Sequence, residues 1–104
     1  MANIEKFTKE ELKGIGVGLK PTVRVGKDGL TENVVIELKN QIKINRVVKV
    51  KVLPSSVEKK REIAEELAER SATKLIEIRG STILLCNPRH YKGDYSEREH
   101  IDPE

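Results

Sequence analysis

The sequence predicts an α/β domain, two layers thick, with the element order α-β-α-β-α-β-β and a mixed four-stranded sheet. Three observations lead there. Amphipathic helical stretches alternate with short valine- and isoleucine-rich runs, a Gly80-Ser81 pair sits between the last two runs, and 104 residues with 37% hydrophobic content suffice for one modest core.

The first element is announced by Thr8-Lys9-Glu10-Glu11, a capping-box pattern in which hydroxyl and carboxylate each satisfy an orphan backbone amide. The short helix then meets Gly14-Ile15-Gly16-Val17-Gly18, whose glycines are expected to end it. The spacing is G-x-G-x-G with no strand before it, so a dinucleotide site is rejected. Pro21 holds the chain extended into Thr22-Val23-Arg24-Val25, with Val23 and Val25 on one face and Thr22 and Arg24 on the other.

A Gly26-Lys27-Asp28-Gly29 loop follows, and Thr31 is placed as N-cap with Glu32 near the positive helix end. Val34, Val35, Leu38 and Ile42 recur at helical spacing. Arg46 to Leu53 is the strongest strand signal, with Val48, Val50 and Val52 facing one way and Lys49 and Lys51 the other. Pro54 ends it. Ser55-Ser56-Val57-Glu58 offers a second capping box for a helix through about Ser71, buried along Ile63, Ala64, Leu67 and Ala68. Lys74 to Arg79 and Thr82 to Asn87 form a hairpin around Gly80-Ser81. Strands joined through helices run parallel, so the two longer helices share one sheet face. Pro88 closes a domain of residues 1–88, and the polar, aperiodic tail of residues 89–104 is expected to be loosely ordered.

Composition narrows the function. Charge is uneven: residues 1–54 hold 11 Lys and Arg against 6 Asp and Glu, and residues 55–104 hold 9 against 11. A basic first half suits an acidic partner such as nucleic acid, although a solvated surface has the same composition. Three aromatics, Phe7, Tyr91 and Tyr95, leave little for base stacking on the sheet. One cysteine, Cys86, excludes an intramolecular disulfide and fits a small core residue. His90 and His100 fall in the tail, and no nucleophile and base share a rigid element, so neither an enzyme nor a metal site or cofactor is expected. His90 and Tyr91 could still stack on a base. No apolar signal core or membrane-spanning run is present, and a soluble cytoplasmic monomer without a small-molecule substrate is the expectation.

Leu19-Lys20-Pro21, Val25-Gly26-Lys27-Asp28-Gly29-Leu30-Thr31-Glu32, Val47 to Val52, and Ile78 to Leu85 followed by Asn87-Pro88 together resemble the CRM domain, the RNA-binding module named for chloroplast RNA splicing and ribosome maturation. The resemblance covers about residues 8–88, and a chain of this size is similar to the free-standing YhbY-like members. It implies RNA binding linked to large-subunit ribosome precursors. It also implies a fold similar to the C-terminal domain of translation initiation factor three, with the last strand inside the sheet and antiparallel to the others. The family's Gly-x-x-Gly loop maps onto Gly26, Lys27, Asp28 and Gly29. Two departures stand out: Gly16 and Gly18 replace bulkier residues, suggesting a looser connection, and the acidic tail argues against RNA contact there.

The expected site therefore comprises Lys20, Arg24, Gly26, Lys27, Asp28, Gly29, Lys49 and Lys51. Lys27 supplies a cation at the loop tip, loop amides take phosphate oxygens, and Asp28 either accepts from a ribose hydroxyl or makes a local turn contact. Lys49 and Lys51 share a face with Arg24 if the first two strands are neighbours. Alternatively, the first helix covers that face and the lysines only reach out from its edge. An Alba-like nucleic-acid coating protein and a protein adaptor are the competing readings.

Overall fold

The computed structural model describes residues 5–54 and 59–92. Helix α1 spans Lys9–Val17, strand β1 Val23–Val25, α2 Glu32–Ile44, β2 Val47–Val52, α3 Lys60–Ser71, β3 Lys74–Arg79 and β4 Thr82–Cys86, followed by a 3₁₀ turn at Pro88–His90. The sheet order is β1-β2-β4-β3. β1 and β2 are parallel, while β4 is antiparallel to both β2 and β3, so the last strand lies inside the sheet.

The α2 and α3 helices lie together on one face, as the valine alternation requires. Val35, Leu38, Ile42, Ile63 and Leu67 pack there on Val23, Val25, Val48, Val50, Val52, Ile83 and Leu85. Thr31 caps α2 by accepting from the Val34 amide at 3.4 Å, and Glu32 in its first turn receives Arg70 of α3 at 2.7 Å, tying the helices together. The Ser55 to Glu58 capping box expected for α3 lies outside the described residues.

The opposite face is partly covered by α1. Leu12, fully buried, packs with Val47, Ile76, Leu84 and Cys86, and Phe7, Ile15, Leu19 and Tyr91 close around them. A bulge between Leu75 and Glu77 makes this possible. Leu75 and Ile78 join the α2/α3 core, whereas the extra residue Ile76 turns to α1. The expected capping box at Thr8 and Glu11 is formed, with both bonds made.

Three expectations are corrected. The glycine run does end α1, at Val17 with Gly18 as C-cap, but the looser connection expected there is not found, because Gly16 is buried against Leu84 and the segment is tightly seated. Thr22 does not share the Arg24 face, since its hydroxyl donates to Gln41 of α2. Order also continues past Pro88. Phe7 pairs with Tyr91 in a parallel bridge, the Phe7 amide donates to the His90 carbonyl at 2.8 Å and the Lys92 amide to the Phe7 carbonyl at 2.8 Å. These bonds clasp residues 89–92 to the start of the chain; residues 93–104, including the acidic run and His100, lie outside the described residues.

Candidate nucleic-acid interface

The loop after β1 is a tight turn. The Gly29 amide donates to the Gly26 carbonyl at 3.0 Å, and Gly29 has φ of +76°, a left-handed conformation that glycine adopts without steric cost. The Gly29 amide is therefore used internally, and Lys27 and Asp28 stand exposed at the tip. Gly26 is seated by the strand end, where a Cβ would meet Leu53 Cδ1 at 3.8 Å. The Thr31 cap and the α2 N-terminus lie immediately beyond, so partial positive charge accompanies the Lys27 ammonium.

Register assembles the cations. Arg24 of β1 pairs with Lys51 of β2, and Lys51 pairs with Thr82 of β4, so all three project from one face. Thr82 pairs in turn with Arg79 of β3, which brings a residue that sequence reading left out of the site into the same row. Its one signal was alternation: Ile78 faces the core, so Arg79 had to face away. Arg79 Nε lies 3.7 Å from Glu77 Oε2. Lys20 is exposed on the segment leading into β1.

Lys49 is the departure. Its ammonium donates to the Gly16 carbonyl at 2.9 Å and the Leu19 carbonyl at 3.2 Å, in a half-buried position beneath the end of α1. Carbonyls at a helix C-terminus carry partial negative charge and attract a cation. The alternative in which α1 covers part of the face therefore holds for Lys49, while Arg24 and Lys51 lie beyond the helix. His90 and Tyr91 are likewise committed to the fold. His90 Nδ1 is 2.8 Å from the Glu5 carbonyl, and Tyr91 packs beneath the Lys74 ammonium at 5.1 Å.

Among the described residues, no group of three or more His, Cys, Asp and Glu is placed to hold a metal ion. No described helix is long and apolar enough to cross a membrane. Cys86, fully buried, has its thiol pushed up to about 11 by loss of solvation, which makes it a poor nucleophile near neutrality.

Fold and site together define a small α/β domain with an exposed glycine turn at the end of a cationic sheet face. The chain is 33% identical over 86 residues to a probable RNA-binding protein of Pseudomonas aeruginosa, covering 81% of this chain and 83% of that one. It is 30% identical over 88 residues to an RNA-binding protein of Haemophilus influenzae, covering 85% and 89%. The solution structure of a hypothetical protein from Staphylococcus aureus matches with a TM-score of 0.68 and 28% identity, over 76% of this chain and 82% of that one. The chain belongs to the CRS1/YhbY (CRM) domain family, whose model matches residues 4–86.

Proposed function

We propose that this protein binds RNA through the Gly26 to Gly29 turn and the cations Lys20, Arg24, Lys27 and Lys51, and that its target is structured ribosomal RNA during large-subunit assembly in the cytoplasm. The observation that carries this reading is the Arg24 and Lys51 pairing, which sets two cations side by side next to a glycine turn. Family membership and the RNA-binding names of two relatives support the polymer. Affinity comes chiefly from cations replacing condensed counterions on the phosphates, with amides at the turn tip fixing position. The turn resembles the short glycine loop that clamps a nucleic-acid backbone in KH modules.

The test is filter binding of the Lys20→Ala, Arg24→Ala, Lys27→Ala triple variant to ribosomal RNA across a salt series. Removing three cations should lower the slope of log affinity against log salt by about 2 and the affinity at 0.1 M salt by roughly a hundredfold. Unchanged affinity and slope would reject the loop as the contact. Crosslinking in cells followed by sequencing of attached RNA should recover large-subunit sequences; enrichment of messenger RNA instead would reject the ribosomal assignment.

A further inference from the structure

The cationic face extends further than the glycine turn. Arg24, Lys51, Thr82 and Arg79 occupy directly paired positions on four successive strands, in the order β1-β2-β4-β3. With strands about 4.8 Å apart, the row runs roughly 14 Å across the sheet, perpendicular to the strands. It is also the first row beyond α1. Gly16 sits on Leu84, two residues further along β4 than Thr82, and Lys49 turns inward there to bond the helix end. Beyond it the side chains reach solvent: Arg24 is exposed, and the Arg79 side chain is 69% exposed.

Arg79 is held for such a contact. Its Nε lies 3.7 Å from the Glu77 carboxylate, whose own side chain is only 19% exposed, while most of the Arg79 side chain is open to solvent. The hairpin that carries it is fixed by a bond from the Lys60 ammonium to the Gly80 carbonyl. Between this row and the end of α1 lies a recess of about 90 Å³, lined by Gly16, Val17, Glu77, Arg79 and Thr82 among others. Its lining offers acceptors beside the cations, namely the Glu77 carboxylate and the Thr82 hydroxyl, which itself donates to the Arg79 carbonyl at 2.8 Å.

We propose that a single-stranded RNA segment leaves the glycine turn and crosses the sheet along Arg24, Lys51 and Thr82, with Arg79 as its far anchor. The inference rests on the RNA-binding reading above and adds the path and the strandedness. A phosphodiester chain crossing the row meets a cation at both ends and in the middle. An unstacked base beside it can turn its donors into the recess against Glu77 and Thr82. A duplex keeps its bases stacked and paired, so it has no splayed base to place there.

The test is fluorescence anisotropy with the full chain, using an oligouridine of about a dozen nucleotides and an RNA duplex of the same length, for wild type, Arg79→Ala, Lys27→Ala and Lys43→Ala. The single strand should bind more tightly than the duplex. Arg79→Ala should lose about fivefold in affinity at 0.1 M salt and about 0.7 in salt slope, while Lys43→Ala, on the far side of α2, matches wild type. If Lys27→Ala weakens binding and Arg79→Ala does not, the path across the sheet is overturned and the loop reading stands. If neither variant changes binding, both fall; tighter binding of the duplex overturns the single-strand assignment.

Discussion

Gly16 and Leu84 are packed so closely that a Cβ on Gly16 would lie 2.6 Å from Leu84 Cδ2. This contact sets the height of α1 over the sheet, and Leu84 is only 3% exposed beneath it. Gly16→Ala should therefore force Leu84 to turn or α1 to lift, costing about 1–2 kcal/mol. Gly14, also in α1, has open space around it, with nothing beyond its own turn of helix within 4 Å of where a methyl group would stand. Gly14→Ala should instead stabilise by about 0.5–1 kcal/mol, because alanine loses less backbone freedom in a helix. Urea unfolding of the two variants checks the contrast; equal effects would refute the close-packing account.

Lys49 and Lys51 alternate on one strand but answer to different demands. Lys49 bonds two carbonyls at the end of α1, whereas Lys51 stands in the open row beside Arg24. Lys49→Met should cost about 1–2 kcal/mol of stability by depriving those carbonyls of that donor, and leave the salt slope of RNA binding unchanged. Lys51→Ala should do the reverse, lowering the slope by about 0.7 with little loss of stability. Thermal unfolding and a salt titration on each variant separate the two roles.

Left-handed backbone occurs at Gly29, with φ of +76°, and at Ala72, with φ of +58° at the C-cap of α3. Gly29→Ala places a Cβ in that strained conformation and should cost about 1–2 kcal/mol, felt as a loosened turn. Ala72→Gly relieves the same strain and should stabilise by about 0.5–1 kcal/mol. Denaturation midpoints moving in opposite directions would confirm both.

Cys86 gives a pH signature. Its thiol is raised from 9.0 to about 11 by burial, so the folded state holds the proton more firmly than the unfolded chain. The stability this contributes is complete below pH 9 and is lost as pH rises through about 11. Two pH units of difference correspond to at most about 2.7 kcal/mol. The urea midpoint of wild type should fall more steeply between pH 9 and 11 than that of Cys86→Ala, which lacks only the thiol. Parallel curves would refute the assignment.

Much of this was legible in the residues because local chemistry decides it. The Thr8 and Thr31 caps, the alternation of Val48, Val50 and Val52 against Lys49 and Lys51, the Gly80-Ser81 hairpin and the Gly26 to Gly29 turn follow from periodicity and backbone freedom within a few residues. The placement of β4 inside the sheet came from the family resemblance, not from these local signals. Alternation assigns a side chain to one of two faces, but it carries no information about what covers that face. Sequence reading therefore grouped Lys49 with Lys51, and only the docking of α1, through Leu12 and Gly16, separated them. The Ile76 bulge was hidden for the same reason, since an extra residue is defined only against its partner strand. Tertiary structure alone decided that Arg79 stands in line with Arg24. Their alignment depends on strand order and register, set by side chains packing between segments far apart in the chain.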